Sequence, residues 1–143
     1  MVTQEPVMRV RIDDGGFLPI RFHDTDAGAD IFCPAGFTLS ARSSAVIRTR
    51  VHVELPPFTV GLLKSKSGLN IKHDIIGEGV IDQGFTGEVI VKLYNLGDRP
   101  YHFEAKDKII QLLVVPVLYP RIERVDQIAG GERGDAGYGS TGR

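Results

Sequence analysis

The segment IRTRVHVEL, residues 47–55, alternates between apolar or β-branched side chains and charged or polar ones. A period of two places one set on each face of a strand, whereas a helix requires a period near 3.6. The segment is therefore predicted to be a strand with one buried face. The inward set is Ile47, Thr49, Val51, Val53 and Leu55, and the outward set is Arg48, Arg50, His52 and Glu54.

Other segments follow the same logic. In VMRVRI, Met8, Val10 and Ile12 oppose Arg9 and Arg11. The runs GEVIVKLYN and KIIQLLVVPV are longer, apolar and rich in β-branched residues, which predicts strands buried on both faces. Only IERVDQIA has the spacing of a short helix. With 17 glycines and 8 prolines between short strands, the chain is predicted to be an all-β sandwich or barrel.

Strands that are apolar on both faces need a second covering layer, which either a sandwich core or a homo-oligomer can supply. At 143 residues the chain is long enough for one domain whose core needs no disulfide or metal. The sequence therefore leaves the source of the covering layer open.

The charge and the cysteine count exclude several classes of function. A net charge of -1 argues against the broad basic surface of a nucleic-acid-binding protein. The single cysteine, Cys33, permits no internal disulfide and fits a reducing compartment. No run of about 18 apolar residues is present to span a membrane, and the first residues lack the apolar stretch of a signal peptide. The protein is expected to be cytoplasmic.

The stretch KSKSGLNIKH combines lysines, serines and a glycine. Ammonium and hydroxyl groups beside a glycine that permits close backbone approach are what a phosphate site requires. A solvated loop with scattered lysines is the alternative. The stretch is not a Walker motif, because G-x-x-x-x-G-K-S/T does not occur in the chain.

The stretch GEGVIDQGFTGEVIVKLYN places Asp82 in a turn between two strand-like runs. The aspartate either bonds its own backbone, as turn aspartates often do, or holds a water molecule. Gly79, Gly84 and Gly87 permit a flat ligand to approach the backbone, and Phe85 offers an apolar wall. The turn is therefore a candidate ligand site.

Two other stretches carry polar groups. In DAGAD, Asp26 and Asp30 either attract a hydrated cation or cap a turn. The tail RGDAGYGSTGR is either a disordered terminus or a glycine-rich strip that wraps phosphates with help from Arg133. The four histidines lack zinc-ligand spacing, and no G-x-S-x-G nucleophile elbow is present.

In this order, the segments resemble the five motifs of the homotrimeric deoxyuridine triphosphatases (dUTPases), over about residues 26–142. The motifs are DAGAD, GLLKSKSGLN, GEGVIDQGFTGEVIVKLYN, KDKIIQLLVVPV and RGDAGYGSTG. The resemblance implies a jelly-roll-like β-barrel, residues 1–132, in a homotrimer with three active sites, each built from all three subunits. Residues 133–143 would form a flexible arm that closes over bound nucleotide.

The resemblance also implies an activity. Water would attack the α-phosphorus of dUTP in line with the leaving pyrophosphate, which yields dUMP for thymidylate synthesis and keeps uracil out of DNA. Asp82 would hold the water, and Asp30 would act through water on a Mg²⁺ ion bound by the triphosphate. The phosphates would contact Lys66, Ser67, Gly68, Gln111, Arg133, Ser140 and Thr141. Uracil and deoxyribose would contact Gly79, Val80, Ile81, Phe85, Ile90 and Tyr138.

The chain departs from the family pattern at four positions. Lys66 replaces the usual arginine, and a point charge cannot reproduce a planar, two-pronged contact. Phe85 replaces tyrosine, and Tyr138 replaces phenylalanine; both keep the aromatic ring. Lys106 replaces the glycine before Asp107, a change that is expected to alter only a turn.

Three rival functions remain open at the level of sequence. A deaminating relative on the same fold acts on deoxycytidine triphosphate, but it needs an added glutamate at the ring that no segment here clearly supplies. A trimeric binding protein can use nucleotide as a switch for a regulatory partner. A purely structural jelly-roll protein would leave the polar clusters without a role.

Overall fold

The computed structural model describes residues 5–137 and residue 139 and contains nine strands and one short helix among them. In chain order the elements are β1 (Arg9–Ile12), β2 (Gly28–Phe32), β3 (Phe37–Leu39), β4 (Ser43–Glu54), β5 (Thr59–Lys64), α1 (Ser67–His73), β6 (Ile75–Ile81), β7 (Glu88–Asn95), β8 (Tyr101–Phe103) and β9 (Lys108–Pro116). No helix in this part of the chain is both long and apolar enough to cross a membrane.

Seven strands form one curled sheet in the order β1-β4-β7-β6-β5-β9-β2, and β3 pairs with β8 in a small second sheet. Every pairing is antiparallel. The strand β6 connects the two halves of the large sheet, because it pairs with β7 at its start and with β5 at its end. The fold is therefore all-β, as the sequence predicts.

The alternation in residues 47–55 is confirmed. Its five inward side chains are all buried, and the arginines and glutamate of the outward set are exposed. The strand bulges between Arg48 and His52, where Arg50 adopts a left-handed φ of 64°. The carboxylate of Glu88 replaces a lost ladder contact by accepting a hydrogen bond from the Arg50 backbone N–H at 2.9 Å.

The prediction that both long apolar runs are buried on two faces is right for β9 and wrong for β7 in this chain. All but the ends of β9 are buried or half-buried. In β7, Ile90, Lys92 and Tyr94 are exposed, although Val89, Val91 and Leu93 are buried. No element of the described chain covers this outer face of β7.

The predicted helix at IERVDQIA is wrong, since residues 122–129 are exposed and carry no helix. An eight-residue segment is too short to be helical without packing, and Ile122 and Ile128 contact no core. The helix α1 instead lies in KSKSGLNIKH. It ends at Asp74, whose left-handed φ of 56° directs its N–H to the Asn70 carbonyl, while Leu69 packs against the core.

Asn95 is a buried polar residue that ties three segments together. Its Nδ2 donates to the carbonyls of Leu39 at 3.2 Å and Arg99 at 2.8 Å, and its Oδ1 accepts the Gly97 N–H at 2.9 Å. Because Asn95 is 1% exposed, water cannot replace these partners. The side chain therefore fixes the loop after β7 against β3.

Replacing Asn95 with alanine is expected to lower the free energy of unfolding by about 2–4 kcal/mol, because buried groups lose their partners. Urea unfolding at a fixed protein concentration measures this change. The matched control is Asn70→Ala, at an exposed position, which is expected to change stability by less than about 0.5 kcal/mol. Equal unfolding midpoints for the two variants would contradict the prediction.

Candidate active site

A row of polar side chains crosses four neighbouring strands. Register pairs Asp30 on β2 with Gln111 on β9, Gln111 with Lys64 on β5, and Lys64 with Glu78 on β6. Directly opposed residues point to the same face of a sheet. The fold thus collects residues from the DAGAD, KSKSG and IIQLL stretches into one row.

Asp30 is the buried end of this row, at 5% exposure. Lys66 Nζ donates to its Oδ1 at 2.5 Å, and Lys108 Nζ lies 3.5 Å from its Oδ2. A buried carboxylate needs such partners, because an unpaired charge in the interior is strongly unfavourable. Lys66 is therefore held at the point where β5 leads into α1.

The segment that enters α1 is fixed by hydrogen bonds to its backbone and hydroxyl groups. Gln111 Nε2 donates to the Ser65 carbonyl at 3.0 Å, and the Ser65 hydroxyl donates to the Gly77 carbonyl and accepts its N–H. A Cβ at Gly28 would lie 2.5 Å from Gln111 Oε1, so only glycine leaves room for this arrangement. Ser67 and Gly68 follow directly and are exposed.

A cavity of about 550 Å³ opens beside these groups. Its walls include Ala27, Lys64, Ser65, Asn70 and Gln111. The Lys64 ammonium, the Ser65 hydroxyl and the two amide side chains face this space together with the carboxylate of Glu78, which is paired with Lys64. We refer to this lining, together with Asp30, Lys66, Ser67 and Gly68, as the phosphate cluster.

The two arms of the β6–β7 hairpin separate on the way to their turn. Residues 75–77 of β6 pair with residues 93–95 of β7, but residues 78–81 pair only with β5. One backbone edge of residues 78–81 therefore faces residues 88–92 without ladder bonds in this part of the chain. Gly79 and the exposed Val80 and Ile90 lie along this opening, whereas the Ile81 side chain is buried in the core.

The turn of this hairpin presents Asp82 and Phe85 to solvent. The Phe85 N–H donates to the Asp82 carbonyl at 3.1 Å, and Gly84 takes a φ of 91° that favours glycine. The Phe85 ring lies against Gly87, where an added Cβ would be 2.7 Å from the ring. No side chain among residues 5–137 hydrogen-bonds to the Asp82 carboxylate, which leaves it available to a ligand or water.

Two anchors hold this turn, and sequence reasoning missed both. Gln83 Oε1 accepts the Phe58 N–H at 2.8 Å and the Tyr119 hydroxyl at 3.0 Å. His52 contacts the Thr86 carbonyl at 2.8 Å from its position on β4. Both anchors join residues 25 or more positions apart, which periodicity and local motifs cannot reveal.

Residues 131–137 are exposed, and the hydrogen bonds that they make within the described chain are local. Arg133 Nη2 donates to the Gly137 carbonyl at 3.0 Å. The predicted ligand contacts at Tyr138, Ser140 and Thr141 lie outside the described residues. Arg133 is brought to neither the phosphate cluster nor the hairpin turn by any hydrogen bond or ion pair in the described chain.

Comparison with known proteins decides the family. The dUTPase family model matches residues 17–142. The chain belongs to the dUTPase family. The deoxyuridine 5'-triphosphate nucleotidohydrolase of Clostridium acetobutylicum is 39% identical over 135 residues, which cover 92% of this chain and 93% of that protein.

Solved dUTPase structures agree with the fold. A Staphylococcus bacteriophage 80alpha dUTPase mutant with dUpNHpp has a TM-score of 0.86 and 30% identity and covers 96% of this chain and 99% of its own. A mutant dUTPase from phage phi11 of S. aureus, described with a structural Mg(II) ion, has a TM-score of 0.79 and 28% identity and covers 87% and 99%. The chain therefore has the jelly-roll-type β fold of the dUTPases.

Four of the five predicted dUTPase motifs fall into two places in the structure, and the fifth belongs to the C-terminal segment. The first, second and fourth motifs meet in the phosphate cluster, which contains Asp30, Lys66, Ser67, Gly68 and Gln111. The third motif forms the hairpin opening and turn. No hydrogen bond or ion pair within residues 5–137 joins the turn to the phosphate cluster. The role of each motif residue in binding or hydrolysing a nucleotide stays a prediction.

Two departures from the dUTPase pattern have visible consequences. Lys106 lies in the turn before β9 with a left-handed φ of 72°, a conformation that the usual glycine adopts more easily. The strand β9 begins at Lys108, two residues later, and the prediction that the substitution alters only the turn stays a prediction. Lys66 uses its single ammonium group on Asp30 rather than on solvent.

The alternative roles of DAGAD divide between its two aspartates. Asp26 caps a turn, because its carboxylate accepts the His23 N–H at 2.9 Å, and this bond lowers the pKa of Asp26. Asp30 has both oxygens occupied by ammonium groups, so it fits Mg²⁺ only through water. Residues 5–137 hold no cluster of three acidic or metal-binding side chains.

Proposed function

We propose that this protein hydrolyses dUTP to dUMP and pyrophosphate, and so supplies dUMP and keeps uracil out of DNA. The observation that carries the proposal is the opened β6–β7 hairpin. It offers unpaired backbone groups, glycine clearance and an exposed carboxylate in the motif that dUTPases share. We also propose a cytoplasmic location, which a chain whose single cysteine permits no internal disulfide fits.

Asp82 would orient the water that attacks the α-phosphorus in line with the departing pyrophosphate. Carboxylates are far weaker bases than hydroxide, so Asp82 accepts a proton late in the attack rather than forming hydroxide beforehand. General-base assistance of this kind contributes about 10²–10⁴-fold to rate. Most of the acceleration must therefore come from positioning and from stabilisation of phosphate charge.

Lys66, Ser67, Gly68 and Gln111 would hold the phosphates in the phosphate cluster. Asp30 would hold the hydration shell of a Mg²⁺ ion that comes with the triphosphate, and that ion would supply positive charge to the phosphates. Since the Lys66 ammonium is bonded to Asp30 through one of its three N–H groups, the remaining N–H groups would donate to phosphate oxygens. Arg133 would add a two-pronged contact to the terminal phosphate.

Uracil would enter the hairpin opening, where backbone groups of Gly79, Val80, Ile81 and Ile90 can imitate a base-pairing edge. Ile81 contributes through its backbone alone, because its side chain is in the core. The Phe85 ring would pack under the deoxyribose and exclude a ribose 2′-hydroxyl. Tyr138 would stack over the base from the arm.

We propose a homotrimer with active sites shared between subunits. The outer face of β4 and β7 exposes Val46, Ile90, Tyr94 and Leu96, and such apolar side chains are normally covered by a partner. Within residues 5–137, no hydrogen bond or ion pair joins the turn to the phosphate cluster of the same chain. This separation also supports sites assembled from different subunits. Residues 133–143, with Arg133, Ser140 and Thr141, would form the arm that closes each site over the barrel of residues 1–132.

The experiment that tests the proposal measures pyrophosphate release from dUTP with Mg²⁺, beside thymidine, deoxycytidine and ribouridine triphosphates. Release from dUTP alone is expected, because the opening admits uracil and Phe85 rejects ribose. Ammonia release from deoxycytidine triphosphate would instead establish a deaminase. Nucleotide binding without any hydrolysis would establish a nucleotide-responsive binding protein.

A further inference from the structure

His52 lies between two hydrogen-bond acceptors that belong to different parts of the fold. Its Nδ1 is 2.8 Å from the Thr86 carbonyl in the hairpin turn, and its Nε2 is 2.8 Å from Asp13 Oδ2 after β1. A carbonyl and a carboxylate can only accept, so both ring nitrogens must donate. Only the imidazolium carries both protons, and the geometry therefore requires a charged His52.

The charged groups around His52 agree with this reading. The Thr86 carbonyl and the Asp13 carboxylate raise the pKa of His52, while partial burial and Arg11 oppose the rise. The hydrogen bond from His52, with help from Arg11 and Arg50, lowers the pKa of Asp13. Glu88, which faces His52 across β4 and β7, is occupied by the Arg48 side chain and the Arg50 N–H.

The turn that carries Asp82 and Phe85 has few other supports. Its arms are not paired with each other beyond residue 77 of β6, and its first half is held at Gln83. Its second half is held through Thr86, which lies between Phe85 and Gly87 in the chain. The Phe85 ring packs against Gly87. The contact from His52 is the side-chain hydrogen bond that fixes this second half in the described chain.

We propose that the His52 imidazolium, bridged to Asp13, is a positioning residue that fixes the Phe85 side of the turn and makes dUTP affinity depend on its charge. This inference rests on the proposed function. Neutral imidazole has one N–H, so loss of the proton forces His52 to release either Thr86 or Asp13. Release of Thr86 frees the Phe85 ring and weakens the sugar contact.

The sign of the pH dependence follows from the direction of each shift. The pKa of His52 is raised, so both bonds are present below the ordinary imidazole value of 6.5, and one of the two is lost as pH rises through the higher folded value. The pKa of Asp13 is lowered, so its contribution is present above the ordinary value of 3.8 and is lost as pH falls through the lower folded value. The turn is therefore held most firmly between these two limits.

The first test is an NMR titration of the four histidines in the full-length wild-type protein, which does not depend on catalysis. His52 is expected to keep both ring protons and to titrate above 6.5, together with the backbone amides of Phe85 and Thr86. Asp13→Asn is expected to move that titration back toward the ordinary value. A His52 that titrates at or below 6.5 would overturn the proposal, even if dUTP is hydrolysed normally.

The second test compares His52→Gln with wild type in steady-state kinetics between pH 6 and 9. The variant is expected to raise KM for dUTP about 3- to 10-fold near pH 7, with kcat changed less than about twofold. Wild-type KM rises as His52 loses its proton, and the variant lacks that step. The matched control is His102→Gln, because His102 bonds only the Thr38 hydroxyl at 3.0 Å, which can donate or accept. Identical pH profiles of KM for His52→Gln and wild type would overturn the proposal.

Discussion

Asp82→Asn is expected to lower kcat for dUTP hydrolysis by about 10²–10⁴-fold, the range that a positioned general base contributes. Asparagine keeps the size of aspartate and one accepting oxygen, but its NH₂ group donates and the amide cannot accept the proton of the attacking water. Asp82 is exposed, and no side chain of the described chain bonds to it. The variant should therefore fold normally and bind the unhydrolysed analogue dUpNHpp within a few-fold of wild type.

The measurement combines single-turnover hydrolysis with a binding titration of the analogue, so that chemistry and affinity are read separately. The matched control is Asp98→Asn, an exposed aspartate that lies 3.6 Å from Arg42 beyond the opposite end of β7. This control is expected to hydrolyse dUTP at the wild-type rate. If Asp82→Asn retained kcat within about threefold of the control, Asp82 would have no role in activating water.

The strands could be predicted from sequence because their burial is set locally. In residues 47–55, each inward side chain is separated from the next by one residue, and this order persists through the bulge at Arg50. The bulge itself depends on the carboxylate of Glu88, which comes from a strand 38 positions away from Arg50. Local periodicity cannot show such a contact.

The wrong predictions for IERVDQIA and for β7 also arise because local spacing does not show tertiary contacts. IERVDQIA has helical spacing, but its residues are exposed and pack against no surface of the described chain. The helix α1 forms in a stretch without an apolar stripe, because Leu69 reaches the core and Asp74 ends the helix in a left-handed conformation. The run in β7 is apolar on both sides, yet one side faces solvent in the single chain. Spacing reports a preference, and tertiary contacts decide whether it is satisfied.

In the candidate site too, some features could be predicted from sequence and others depend on contacts between distant strands. The motifs indicated Asp30, Asp82 and Gln111 as site residues, and the sheet register places Asp30 and Gln111 side by side. The ion pair of Asp30 with Lys108 and the bridge from His52 to Thr86 arise from contacts between distant strands. One signal was present in the sequence: His52 is the only residue on the outward face of residues 47–55 whose charge can change near neutral pH.

Removing residues 133–143 is expected to lower kcat/KM for dUTP by about 10²-fold or more, because the site loses a positioned cation and the segment that excludes water. The barrel should be unaffected. In the described part of this segment the hydrogen bonds are local, as in the bond from Arg133 to Gly137, and none reaches a strand. The truncated protein is therefore expected to keep the thermal unfolding temperature and the oligomeric mass of the full chain.

Arg133→Ala removes the charge of Arg133 but keeps the rest of the arm. This variant is expected to lower kcat/KM by about tenfold, the effect of one charge-assisted contact. Arg121→Ala is its matched control, since Arg121 is equally exposed and pairs only with Glu123 at 3.1 Å. If the truncated protein unfolded at a lower temperature, the arm would stabilise the barrel rather than act only at the site. A truncation with wild-type kcat/KM would show that each site is complete without the arm, and Ser140, Thr141 and Tyr138 would then have no part in binding nucleotide.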